Sequence, residues 1–349
     1  MDCKMSVLKR IYADNFKCLV NFDWQPGPAL INLMLGPNGS GKTTVFDCLD
    51  RVRKFATGEE KSTTLFPSSA LTAWQNVSKQ RFEVELEREG YSYRYELEIV
   101  HSEKRSYNHV SHERLECNGK PLLEFAASKA TVYAETLSQP MFKYPVADNY
   151  SAVSLLPTSG LYERVTEFKV ALSRLTVLQI IPPMMEDTGW TESLRPLRYF
   201  ENFVSWYRAV SQNHGMVIQL EQELKEVLPG FHHFYLESSG EAKLLKAVFE
   251  PKGKHLTFGL LSDGQRMLVA LYAILYGLTA RPEWIDTRID DQSGALLCLD
   301  EPDNFIASRE IQPWPAAAQD LSRRAEPNGQ RLSPARRSQQ SRRYPFHIK

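Results

Sequence analysis

Leu33-Met34-Leu35-Gly36-Pro37-Asn38-Gly39-Ser40-Gly41-Lys42-Thr43-Thr44 is the stretch on which the reading of this chain turns. It fits G-x-x-x-x-G-K-[ST]. It lies between an apolar run, expected as a strand, and an amphipathic helix expected from about Lys42 to Phe55. The glycines let the backbone turn tightly and aim successive N–H groups inward, at the α- and β-phosphates of a nucleotide. Lys42 is placed to reach the β- and γ-phosphates, and the Thr43 hydroxyl to ligand Mg²⁺. The helix that follows turns the positive end of its dipole toward the same anion. The expected nucleotide-binding residues are therefore Asn38, Gly39, Ser40, Gly41, Lys42, Thr43 and Thr44.

Two later segments add to this. Leu296-Leu297-Cys298-Leu299-Asp300-Glu301 reads as a buried apolar strand whose carboxylates emerge at its C-terminal end, where open α/β sheets place their ligands. Asp300 is expected to hold the Mg²⁺ shell and Glu301 to polarise an attacking water. Leu260-Leu261-Ser262-Asp263-Gly264-Gln265-Arg266 precedes a helix expected from Gln265 to about Leu278. Alone, Ser-Asp-Gly is more often a capped turn than an anion-binding helix start.

In this order along the chain, the three segments resemble the Walker A, signature and Walker B motifs of ABC-type ATPases. More narrowly, LSDGQR, an apolar helix and LDEPDN resemble the RecF/SMC/OLD-like branch of stand-alone "AAA family" ATPases. The strand-like Leu8 to Leu19 ahead of the glycine loop fits that branch too. The resemblance covers residues 6–58 and about 231–312. It implies an α/β P-loop NTPase of the ABC-ATPase type, with an inserted antiparallel β lobe and a helical segment. It also implies ATP and Mg²⁺ as cofactors, and a homodimer that forms on ATP binding. Ser262 and Gly264 of one protomer would then close over the γ-phosphate held by the glycine loop of the other. Glu301 would serve catalysis, and Thr43 and Asp300 the Mg²⁺. A Mg²⁺- and water-sensing Gln belongs between the glycine loop and the β strands, and of Gln75 and Gln80 the first is favoured. The work done is read as a switch in DNA repair or anti-phage defence, with DNA or a separate nuclease as partner. Two alternatives stand beside it: an ATP-sensing module with little turnover, and the ATPase subunit of a transporter. The long inserted lobe argues against the transporter.

Composition narrows the class further. Of 349 residues, 42% are hydrophobic and 24% charged, the balance of a soluble globular protein. Positive and negative residues number 42 each, so no global basic footprint points to nucleic acid. No run of eighteen apolar residues suggests a membrane span, and the opening residues do not read as a signal peptide, so a cytoplasmic chain is expected. The five cysteines (Cys3, Cys18, Cys48, Cys117, Cys298) lack C-x-x-C spacing and read as reduced, buried thiols.

Lys42 and Asp300 lie far apart in the chain, so the polypeptide leaves the nucleotide core and returns to it. The expected divisions are 1–58, the first core half; 59–230, an inserted β-rich and helical region; 231–312, the second core half; and 313–349, an atypical basic tail. Alternation puts Phe82, Val84 and Leu86 on one strand face and the odd positions from Tyr91 on another, while Asn118-Gly119 signals a hairpin. From Leu161 to about Leu228 the periodicity turns helical, with Leu197, Phe200, Phe203, Val204 and Tyr207 as a core stripe. Phe231 to Leu261 returns to strands. No heptads announce a long coiled-coil arm.

Several other residues carry competing readings. Phe16 and Lys17 are read either as a lining of the nucleotide site or as core beside surface. Arg51 and Arg53 are read as a solvated helix face, and His232-His233 as strand residues without a third metal ligand. Pro315 is expected to interrupt any helix after the Walker B strand. Beyond Arg323 no apolar strand ending in a switch His can be read. The tail is a disordered basic arm, an ordinary solvated terminus, or a frame-shifted end.

Overall fold

Alternating apolar side chains build the largest element, an eight-stranded antiparallel sheet. In the computed structural model, which describes residues 6–29, 31–102, 107–135, 139–158, 162–250, 253–278 and 295–325, its strands are β1 (Ser6–Asp14), β2 (Phe22–Trp24), β3 (Lys79–Arg88), β4 (Tyr91–His101), β5 (Asn108–Cys117), β6 (Lys120–Ala126), β7 (Lys129–Tyr133) and β8 (Pro140–Pro145). They lie in the order β2-β1-β3-β4-β5-β6-β7-β8. Phe82, Val84 and Leu86 share a buried face with Tyr93, Tyr95, Leu97 and Ile99, as their period-two spacing requires. Asn118 and Gly119 both adopt positive φ, 50° and 74°, the geometry that a two-residue hairpin loop matching the strand twist needs. β1, just ahead of the glycine loop, is paired with β3 through Ala13 and Phe82. The first core segment and the β lobe are thus one continuous sheet.

Helix α1 (Lys42–Thr57) packs Val45, Cys48, Leu49, Val52, Phe55 and Ala56 into the core that this sheet begins. It stops at Gly58, a left-handed residue whose N–H bonds back to the Lys54 and Phe55 carbonyls. Short α2 (Ser62–Leu65) and α3 (Ala152–Leu155) and longer α4 (Glu163–Ser173) complete this layer. Phe168 of α4 stacks on Tyr95 at 5.5 Å.

A second core holds the helical region. Strand β9 (Leu175–Leu178) leads through β10 (Thr188–Gly189) to α5 (Phe203–Val210) and α6 (His214–Val227). Then β11 (Phe231–Ser239), β12 (Ala242–Phe249) and β13 (Lys254–Thr257) form a small sheet with β10. Helix α7 (Asp263–Gly277) is buried along most of its length. Strand β14 (Leu296–Leu299) pairs in parallel with β9, and α8 (Ser308–Ile311) and α9 (Pro313–Ala325) follow. The four side chains of β14 serve both cores: Leu296 and Cys298 pack on the first, Leu297 and Leu299 on the second. No described helix is long and apolar enough to cross a membrane.

Four expectations are corrected. The apolar run before the glycine loop is not a strand: Leu33 and Leu35 are exposed and only Met34 packs on the core. An extended segment becomes a strand only with a neighbouring backbone to bond, and among the described residues none pairs with it. The helical stripe begins late. Asn202 closes a turn by accepting from the Leu197 N–H, Phe200 takes a positive φ, and α5 starts only at Phe203. Leu197 is left half-exposed, while Phe200, Phe203, Val204 and Tyr207 are core. Pro315 breaks nothing, because α9 begins at Pro313 and both prolines sit in the first turn, whose N–H groups have no helical acceptor. Residues 313–325 are therefore helix rather than tail, and Trp314 anchors them by donating its indole N–H to the Leu271 carbonyl at 2.8 Å. Finally, Cys18 is exposed, whereas Cys48 and Cys117 are buried and Cys298 is half-buried. Cys3, His347 and the tail beyond Ala325 lie outside the described residues.

Candidate nucleotide site

The glycine loop takes the conformation its residues allow. Gly39 and Gly41 have φ of 80° and 94°. A Cβ on Gly41 would also lie 3.0 Å from the Cys18 sulfur. Gly41 is the N-cap of α1 and offers no side chain to it, so the first N–H groups of the helix keep their capacity for an anion. Lys42 lies back over the loop, its Nζ donating to the Gly36 and Pro37 carbonyls at 2.7 and 3.1 Å.

The two expected metal ligands meet. The Thr43 hydroxyl and the charge of Lys42 both act on the Asp300 carboxylate and favour its ionised form. Asp300 is positioned by its backbone, whose N–H donates to the Leu178 carbonyl at 2.8 Å where β9 and β14 end side by side. Burial is the main influence on its carboxyl and raises its pKa, the Thr43 hydroxyl works against it, Glu301 adds to the rise, and the charges of Arg198 and Lys42 oppose it. Among the described residues, Asp300 Oδ2 is buried without a hydrogen-bond partner. An orphaned carboxylate oxygen beside a threonine hydroxyl suits a hard, oxygen-preferring cation such as Mg²⁺.

Glu301 follows at φ 50°, left-handed for a non-glycine residue, a conformation that costs of order 1–3 kcal/mol. This turn sends its side chain out of the sheet, where its Oε2 accepts from Asn304 Nδ2 at 2.8 Å. Ser262 is the N-cap of α7, in a reciprocal capping box with Gln265. A Cβ on Gly264 would come within 3.1 Å of the Phe305 carbonyl, so the turn that opens α7 rests against the loop after β14.

The competing readings now separate. Gln80 is fully buried and fixed: its amide donates to the Asn15 and Ala70 carbonyls, and its oxygen lies 3.0 Å from His101 Nε2. Gln75 is half-buried in a loop pinned by Asn15, whose side chain accepts from Thr72 N–H and donates to the Val77 and Lys79 carbonyls. Phe16 is core, packed edge-on against Phe82 at 5.6 Å. Arg53 is not solvated but buried, paired with Asp50 and Glu59. Arg51 bonds Asp47 and the Leu65 carbonyl. His232 and His233 lie on β11, and among the described residues no group of three metal-capable side chains occurs.

Sequence reading passed over Asp47 and Arg198. Asp47 lies one turn beyond Thr43 on α1 and accepts from Lys17 at 2.8 Å, Arg51 at 3.0 Å and Arg198 at 3.0 Å. Burial lifts its pKa, but the Lys17 and Arg51 bonds outweigh that and hold it below the usual carboxylate value. These groups, with Thr43 and Thr44, line a polar cleft of about 410 Å³. Lys17 and Asp47 had no sequence signal for their meeting, and Arg198 comes from the distant helical region.

With the geometry in place, comparisons with known proteins bear on it. Residues 10–176 match the AAA domain family, a stretch that runs from within β1 through the glycine loop, the β lobe and α4 into β9. The match meets the "AAA family" resemblance carried by the motifs. No curated protein sequence matches the chain. Among solved structures, the recombination mediator protein RecF-ATP of the RecFOR pathway aligns with 12% identity and a TM-score of 0.42, covering 91% of each chain. RecF-ATPrS of the same pathway aligns with 14% identity and a TM-score of 0.41, covering 92% of this chain and 91% of that one.

Proposed function

We propose that this chain is an ATP-dependent switch: a RecF/SMC-like head that binds Mg-ATP, closes on a second copy and reopens when the γ-phosphate is hydrolysed. The observation that carries the reading is the approach of Thr43, in the first turn of the helix that opens at Gly41, to the buried Asp300 carboxylate at the end of β14, which brings together the motifs of two distant segments. Asn38 to Thr44 bind the phosphates, Lys42 leaving the Gly36 and Pro37 carbonyls for the β- and γ-oxygens. Thr43 and Asp300, with Gln75 as a candidate third ligand, would hold Mg²⁺, which would supply positive charge against that developing on the phosphoryl oxygens. Glu301 orients a water for in-line attack and takes its proton as the oxygen–phosphorus bond forms and the bond to ADP breaks. Ser262 and Gly264 face the nucleotide of the partner protomer, and a two-fold axis completes both sites together. ATP touches both halves only in the closed state, so its differential affinity drives closure. The output is a DNA-repair or anti-phage function in the cytoplasm, through DNA or a separate nuclease.

Size-exclusion chromatography with light scattering on the Glu301→Gln protein tests the reading. Closed dimer is expected with Mg-ATP and monomer without it. A monomer in both, with ATP binding shown separately, would refute ATP-driven closure.

A further inference from the structure

One carboxylate in the cleft beside Thr43 carries more positive charge than it can balance. Asp47 alone accepts from Lys17, Arg51 and Arg198. The neighbouring Asp50 is already engaged by Arg53 and Lys54. If Arg198 left, Asp47 would still have two cations within 3.0 Å. Arg51 is also held by the Leu65 carbonyl, whereas Arg198 can leave without stripping Asp47 of its countercharge, and it is incompletely satisfied where it stands: among the described residues its Nε is buried without a partner.

Its placement is set by the backbone. At the end of β9, the Leu178 carbonyl accepts from the Asp300 N–H, and the next N–H, that of Gln179, donates to the Arg198 carbonyl at 2.8 Å. Arg198 and Asp300 thus flank the C-terminal end of the same parallel strand, the end where sheets of this kind put their ligands. Arg198 also belongs to a segment with its own ties. Three residues earlier, Arg195 pairs with Glu59 at 2.8 Å, and Asn202 bonds the Arg195 carbonyl and the Ser193 hydroxyl.

We propose that Arg198 is a terminal-phosphate contact acting within one protomer, parked on Asp47 without nucleotide and turned to the γ-phosphate when a nucleoside triphosphate binds. A planar guanidinium with a spare N–H is the group suited to a phosphate's paired oxygens. The move would link the phosphate state to the 193–202 segment, and from there to α5. The inference rests on the nucleotide site proposed above and concerns which phosphate that site reads.

The test compares binding of fluorescent ATP and ADP analogues, each with Mg²⁺, to the wild-type chain and to Arg198→Gln and Arg198→Lys. Loss of a charged hydrogen bond weakens binding on the order of 10- to 100-fold. A loss of that size is expected for the ATP analogue in Arg198→Gln, with a change under about 2-fold for the ADP analogue. Arg198→Lys keeps the charge without the fork, and is expected to show a smaller loss confined to the ATP analogue. It also serves if the glutamine variant does not fold. Equal losses for both nucleotides would make Arg198 a merely structural tie and overturn the proposal, as would no loss for either. A wild-type chain that binds neither analogue would instead refute the nucleotide site itself.

Discussion

Gly277, the last residue of α7, meets the indole of Trp206 on α5 so closely that a single methyl group there should be felt. A Cβ added at Gly277 would lie 2.3 Å from Cη2 and 2.6 Å from Cζ2 of Trp206. Ordinary carbon contacts are about 3.5–4.0 Å, so the ring would have to retreat by more than about 1 Å. It has little room to do so: Trp206 is 1% exposed, with Phe200 5.1 Å and Phe203 6.4 Å away between ring centroids. Two effects oppose each other in Gly277→Ala. Alanine favours helix over glycine by about 1 kcal/mol in a helix interior, and by less at the final residue. Overpacking a close-packed core costs about 1–3 kcal/mol, and here the obstacle is a rigid ring rather than the end of a flexible chain. The clash wins, and a net loss of about 1–2 kcal/mol is expected. In a chain of 349 residues that lowers the melting temperature by roughly 1–3 °C, measurable by dye-reported thermal unfolding. Trp206→Phe added to Gly277→Ala should recover part of the loss, because the two residues couple through one contact. A melting temperature that stays put or rises in Gly277→Ala would show that Trp206 has space to move, and the packing argument would be wrong.

Three further outcomes are expected. Lys42→Ala should abolish ATP binding while leaving thermal stability near wild type, since its Nζ bonds only exposed loop carbonyls; unchanged affinity in a titration would sink the phosphate-loop assignment. Trp314→Ala removes a buried ring and its bond to the Leu271 carbonyl, and should cost about 3–5 kcal/mol in urea unfolding if α9 is docked; a change under about 1 kcal/mol would mean the helix is loosely held. His101 has its pKa lowered by burial and then by the charge of His109, so the folded chain prefers it neutral and the unfolded chain binds its proton more readily. Its stabilisation is therefore present above the ordinary histidine value of 6.5 and is lost as pH falls below it. His101→Gln should flatten the loss of stability between pH 7.5 and 5.5, and an unaltered slope would remove His101 as its source.

Much of the candidate site's local geometry was legible because its parts are local. A glycine that must take φ 94° ahead of a helix, and a lysine and threonine in the helix's first turn, are fixed by neighbours a few residues away. The alternation of Phe82, Val84 and Leu86, and the Asn118-Gly119 turn, are local in the same sense. Boundaries fared worse where a distant group competed. Asn202 held the chain out of a helix that the apolar spacing of Leu197 and Phe200 suggested. Gln80 had the composition of a site residue, yet Asn15, Ala70 and His101 enclose it completely. Arg53 looked like surface until Asp50 and Glu59 closed over it.

Local preferences alone set the glycine loop, the strand that carries Asp300 and Glu301, the capped start of α7 and the alternating β lobe. Each depends on backbone preferences and periodicities that act over a few residues. Only the tertiary structure decided that Thr43 meets Asp300, that three cations gather on Asp47, that Pro313 and Pro315 open a docked helix, and that Leu33 and Leu35 stay unpaired. Those outcomes join residues far apart in the chain, and they are set by which buried groups find a partner once the two cores have packed.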